Sequence, residues 1–170
     1  MSGYCRPTAE RALLLAVALL LSACYSFTGG GLPDHVRTIY IAPLDNDTQQ
    51  FDLPQQLARA MSERVPRALG LRPAGERTAD AVLRASITDY QDAAQNYRAG
   101  RPGEVEVLQH QVQINVMVRI IDVRQNVVLF EQSLSGNGQY RPDEQTDEVA
   151  RARAIEMLID GIINGAQSQW

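Results

Sequence analysis

From residue 112 to residue 120 the chain alternates without a break. Val112, Ile114, Val116, Val118 and Ile120 are apolar, and Gln113, Asn115, Met117 and Arg119 stand between them. A period of two over that length predicts a strand with one buried face. It extends over about Glu106 to Asp122, with Gln109 and Gln111 joining the polar side. Three further stretches read as strands. Val36 to Leu44 is rich in β-branched residues and closes at Pro43. Asp80 to Tyr90 turns Leu83, Ala85 and Ile87 one way and Arg84, Ser86 and Thr88 the other. Val127 to Ser135 follows a turn at Val123 to Asn126. Residues 91–104 and 136–145 then fall to loops.

Two stretches carry a helical period instead. Leu53, Leu57, Ala60, Met61 and Val65 lie on one stripe. Asp52 and Gln55 suit a capping box, Pro54 a first turn, and Pro66 and Gly70 an ending. The last helix starts near Thr146 and should bury Val149, Ala152, Ile155, Ile159, Ile162 and Ala166. Gly161 and Gly165 inside it cost about 1 kcal/mol each against Ala, so fraying of the final turns is expected. The order is β-α-β-β-β-α. It implies an α+β two-layer sandwich, with a four-stranded mixed sheet and two helices on one face. The first crossover makes strands one and two parallel, and the later connections are hairpins. The other face of the sheet is left polar and uncovered.

The N-terminus breaks this pattern. Arg6 and Arg11 precede the apolar run Leu13 to Leu21, which is too short for the roughly 20 residues that span a bilayer. Leu21-Ser22-Ala23-Cys24 closes it as a lipobox, with cleavage between Ala23 and Cys24 and lipid on the Cys24 thiol. The domain organisation expected is therefore a cleaved lipoprotein signal over 1–23, a lipidated Cys and flexible tether over 24–34, and one domain over 35–170. The expected modification is diacylglycerol and an N-acyl chain on Cys24, with no other cofactor. The ten residues 25–34 reach roughly 33 Å when extended, so the domain works close to its membrane. Tyr25 after Cys24, rather than Asp, points to delivery to the outer membrane.

Removal of 23 of 170 residues leaves 147, an ordinary single domain. With Arg6, Arg11 and Glu10 gone, the net charge moves from −4 to −5, which offers no general attraction for nucleic acid. Cys5 leaves with the signal and Cys24 is acylated, so disulfides, zinc sites and a Cys nucleophile are excluded. Gly29-Gly30-Gly31 follows no strand and reads as linker, not as a phosphate loop. Asp45-Asn46-Asp47-Thr48 lacks the Gly and the distal Glu of a calcium loop. The two histidines, His35 and His110, have no nucleophile elbow near them and read as structural or surface residues. Asp143, Glu144, Asp147 and Glu148 gather where the positive end of the last helix favours acids. The pattern argues against an enzyme.

Several stretches resemble a known family when taken together. They are Cys-Tyr-Ser-Phe-Thr-Gly-Gly-Gly-Leu-Pro at 24–33, Ile39-Tyr40-Ile41-Ala42-Pro43 with Asn46 and Thr48, Ala79-Asp80-Ala81-Val82-Leu83 with Ile87 and Tyr90, and Asp122 with Val128-Leu129-Phe130-Glu131. Their order and spacing are similar to those of the LPS-assembly lipoprotein family, LptE. Tyr25 stands where some members have Gly, as in a divergent branch. The resemblance implies a partner, an outer-membrane β-barrel of the LptD kind, with the domain facing the periplasm or lying inside the barrel lumen. It also implies lipopolysaccharide as the cargo. The rival is a scaffold or pilot lipoprotein of another envelope complex. For the ligand, Arg98 and Arg101 in the long loop are the candidate contacts, because guanidinium groups suit the phosphates of lipid A.

Overall fold

The structure is a computed structural model that describes residues 32–99 and 105–168. Among them, six strands and two helices follow one another. They are β1 (Thr38–Ile41), β2 (Asp45–Asn46), α1 (Leu53–Ala68), β3 (Arg72–Pro73), β4 (Ala81–Ala99), β5 (Val105–Asp122), β6 (Val127–Tyr140) and α2 (Asp147–Ser168). The sheet runs β3-β1-β4-β5-β6, and β2 pairs with β4 beside β1. β1 and β4 are parallel, whereas β4–β5 and β5–β6 are antiparallel hairpins. This is the expected sandwich with two strands added. β2 and β3 are two residues each, too short to leave a period in the sequence.

The alternation in β5 places its apolar side chains under the helices. Val112, Ile114, Val116, Val118 and Ile120 are buried, with Leu83, Ala85 and Ile87 of β4 beside them. A bulge between Ile87 and Asp89 switches the parity of β4, so Tyr90 and Asp92 stay on the inner face opposite Ile114 and Val112. From α1, Leu53, Leu57, Met61 and Val65 close the core, and Ala60 packs at its edge. Asp52 sits at the N-cap with helical φ and ψ and makes no side-chain cap bond, contrary to the capping box. At the other end Gly70 takes φ +68°, with Gly70 N–H bonded to Arg67 O and Leu71 N–H to Pro66 O. That is a Schellman ending, which needs glycine for its left-handed residue.

Three expectations fail for identifiable reasons. Residues 91–99 are strand, not loop. Gln91 to Asn96 has few good strand formers, yet it pairs along the ladder with the opposite strand. Residues 136–140 are also strand, and their glycines are packing devices. A Cβ at Gly138 would lie 2.5 Å from the Ala150 carbonyl carbon, and one at Gly136 2.8 Å from Leu158 Cγ. The backbone of α2 therefore rests directly on β6. This rotates α2 so that Ala150, Ala154 and Leu158 are buried, while Ala152 is exposed and Val149 only half-buried. Finally, α2 continues to Ser168 without fraying. Gly165 and Gly161 make room for Phe130 and Leu134.

Candidate functional site

The described domain offers three polar regions: two poles of the sheet and its open face. At the pole where the chain leads into β1, Asp80 precedes β4 and Asp122 ends β5. Asp80 Oδ2 accepts from the N–H groups of Arg37 and Thr38, both at 3.1 Å, and from Thr38 Oγ1 at 2.8 Å. Arg124 donates to its other oxygen at 2.6 Å. The Thr38 hydroxyl, with these N–H groups and Arg124, holds the Asp80 carboxyl below its ordinary range. Asp122 Oδ1 accepts from the N–H groups of Arg124 (2.7 Å) and Gln125 (3.0 Å), and Oδ2 meets His35 Nε2. Burial pushes the Asp122 carboxyl up, but those N–H groups and His35 outweigh it and lower its pKa. His35 is thus a clamp fastening the segment that leads into β1. Two of the loose motifs of the resemblance meet here, since Asp80 and Asp122 both bind the start of β1 or the turn after β5.

The opposite pole lies at the N-terminal end of α2. Tyr140 donates to Asp92 Oδ2 at 2.8 Å, and His110 Nδ1 lies 2.9 Å from Asp92 Oδ1. Burial, with the bond to Asp92, pushes the Tyr140 hydroxyl up to about 12. It stays protonated near neutral pH and makes a poor nucleophile. Arg151 sits over the Tyr90 ring, 5.8 Å from its centroid, and pairs with Asp147. Apart from Arg151 Nε, which is buried without a hydrogen-bond partner among the described residues, these polar groups hold one another, and the arrangement fastens the long hairpin to α2. Of the acids foreseen at the start of α2, Asp147 and Glu148 stand in its first turn; Asp147 also pairs with Arg151, and Glu144 meets Arg141. Asn46 Oδ1 accepts from Thr48 N–H and Oγ1, an Asx turn.

The open face carries a ladder of amides. Asn96 donates to Gln109 at 2.6 Å, Gln109 to Gln139 at 2.7 Å, and Gln111 to Asn137 at 3.2 Å. Gln113 donates to Asn115, and Gln91 and Asn115 both donate to Asp89. Arg119 and Glu131 pair nearer the pole of Asp80 and Asp122. The β5 part of this face was visible in the alternation. Asn137 and Gln139 were missed because Gly136 and Gly138 beside them read as loop. Of the predicted site residues, Ala23, Cys24 and Arg101 lie outside the described residues. Arg98 is not on a loop but in β4, across from Glu106.

A comparison with family models matches residues 36–165 to LptE, described as lipopolysaccharide-assembly. The match takes in nearly all of the described domain. This chain belongs to the LptE family. The LptE assignment makes it an envelope-associated lipoprotein type, and the sandwich fold agrees with solved structures. CT253 from Chlamydia trachomatis superposes with a TM-score of 0.53 at 12% identity, over 76% of this chain and 97% of that one. XCC0632 from Xanthomonas campestris gives 0.54 at 11%, over 84% and 89%. A PelC dodecamer from Paraburkholderia phytofirmans gives 0.51 at 15%, over 82% and 94%. At these identities the likeness concerns the fold alone. No curated relative matches. Among the described residues no helix is long and apolar enough to cross a membrane, and no acid, His or Cys group is placed to hold a metal.

Proposed function

We propose that this chain is an outer-membrane lipoprotein, anchored by diacylglycerol and an N-acyl chain on Cys24, that joins a β-barrel translocon of the LptD kind. It acts without catalysis, as a plug that helps lipopolysaccharide reach the outer leaflet. The observation that carries this reading is the open sheet face. Its amides run across three strands, from Asn96 through Gln109 to Gln139 and from Gln111 to Asn137. Such a surface can exchange each hydrogen bond for one to water or to a polar wall, and it does not need an apolar cover. That suits a wet lumen better than a dry interface. Family membership and the Leu21-Ser22-Ala23-Cys24 lipobox support the same reading. Arg98, in β4, and Arg101, three residues further along the sequence, are the proposed contacts for lipid A phosphates.

The test is depletion in the native host. Newly made lipopolysaccharide should fail to reach the cell surface and should recover with the wild-type chain. Cys24→Ala should restore it poorly. Normal surface lipopolysaccharide in depleted cells overturns the proposal.

A further inference from the structure

The two edges of the sheet are treated differently. β3 ends one side with only Arg72 and Pro73, both exposed, which blunts it against further pairing. β6 ends the other side with 14 residues, no Pro and no Lys or Arg. Its one charge, Glu131, is held by Arg119. The outward main-chain groups of β6 can be assigned. Leu83 and Ile87 turn their carbonyls away from β5, accepting from Ala42 and Asp47 N–H at 3.0 Å each. Leu83 stands opposite Ile120, which stands opposite Phe130; Ile87, Val116 and Leu134 form a second such row. Alternation across an antiparallel ladder then bonds the even residues of β6 to β5 and turns the odd ones outward. Gln139 confirms this independently, because its carbonyl accepts from Arg153 of α2 at 3.0 Å. Ser133, Ser135 and Asn137 therefore offer N–H and C=O groups to the outside, with no partner among the described residues.

Beside this edge lies a groove of about 560 Å³, between β6 and the flank of α2. Asn137, Gly138 and Gln139 line it on the strand side, and Arg153, Glu156 and Met157 on the helix side. Met157 is 51% exposed, an apolar side chain without cover.

We propose that this edge and groove take an extended strand from a different envelope chain by strand addition. The added strand alternates polar and apolar residues. Its polar side continues the amide ladder beyond Ser133, Ser135 and Asn137, and its apolar side rests on Met157. Glu156, which meets no partner among the described residues, favours a basic residue on the newcomer. A second copy of this chain does not fit. Two β6 strands would lie about 4.8 Å apart. Each carries α2 on its own backbone, and helices about 10 Å across cannot lie side by side at that spacing.

The test uses the full chain, purified free in detergent and as the complex isolated with it from its own membranes. Amide exchange in β6 is compared between the two, and Ser135→Pro is compared with Ser135→Ala for recovery of the complex. Pro removes an outward N–H at an edge position where folded sheets tolerate it. The expected result is exchange at Ser133, Ser135 and Asn137 slowed about a hundredfold in the complex. Ser135→Pro should recover at least about tenfold less complex while Ser135→Ala recovers it normally. Should Ser135→Pro not fold, the exchange comparison on the wild-type chain decides alone. Equal exchange in the free and complexed chain overturns the proposal. A barrel recovered equally with Ser135→Pro and wild type overturns strand addition but leaves the barrel reading standing. Protected β6 amides in a complex without a barrel do the reverse.

Discussion

Gly138→Ala is the most demanding test of how the two layers meet. The added Cβ would lie 2.5 Å from the Ala150 carbonyl carbon and 2.8 Å from Ala150 Cα, well inside van der Waals contact. The obstacle is main chain, so no rotamer relieves it. Either α2 retreats by about 1 Å or β6 bends away, and both loosen the seat of Ala150, Ala154 and Leu158. Overpacking of this kind usually costs 1–3 kcal/mol, and a backbone clash belongs at about 3. For a domain of about 130 residues the unfolding entropy is near 0.27 kcal/mol/K, so the melting temperature should fall by about 10 °C. Gly75→Ala is the control. Its Cβ would come no closer than 3.7 Å, to Thr78 Oγ1. It should be neutral or raise stability by up to about 1 kcal/mol, through a less disordered unfolded chain. The assay is thermal unfolding followed by circular dichroism on the purified chain. Adding Ala150→Gly to Gly138→Ala should not rescue, because the clash is with the carbonyl of residue 150. Full rescue, or a shift as small as that of Gly75→Ala, would refute the reasoning.

Other consequences follow from the same geometry. Val116→Asp buries a carboxylate at a position 1% exposed and should cost about 3–5 kcal/mol. Asn115→Asp, on the open face beside Asp89, should cost under about 1; equal denaturant midpoints would put the register of β5 in error. Asp80 and Asp122 have lowered pKa values, so their stabilisation is present above the unfolded value of 3.8 and is lost as pH falls through the folded values. The melting temperature should drop below about pH 4. Asp122→Asn should flatten that slope; an unchanged slope would count against the clamp. Cys24→Ala should abolish palmitate labelling, since the only other cysteine, Cys5, lies before the apolar run and closes no lipobox. Persistent label would end the anchor proposal. Arg98→Ala with Arg101→Ala should weaken binding of purified lipopolysaccharide, most visibly at low salt, where screening is least; unchanged binding across a salt series would retire the site.

Most of the architecture was legible because burial imposes a period. Val112 to Ile120 placed β5 and its inward face, and Leu53 to Val65 placed α1. What stayed hidden has no period of its own. Gly136 and Gly138 look like loop residues until α2 is known to lie on them, and only that contact explains why Ala152 turns out to solvent. Thr88 sits in a bulge that keeps Tyr90 and Asp92 on the inner face, and alternation counted from Leu83 cannot foresee the switch. The His35–Asp122 clamp joins residues 87 apart in sequence. Either residue read alone was only an unplaced polar group. The open face was half visible, in Gln109 to Arg119, and its continuation onto β6 waited on those same glycines.

In the function proposed above, this domain works as the lipoprotein partner of a lipopolysaccharide-inserting barrel. The most direct test is affinity isolation of the tagged full chain from gently solubilised outer membranes, followed by mass spectrometry of the proteins and a lipopolysaccharide assay. One large β-barrel protein in equal amount, with lipopolysaccharide present, is the predicted result. Recovery of another secretion or efflux assembly in its place, or of the chain alone from membranes that contain the barrel, would contradict it.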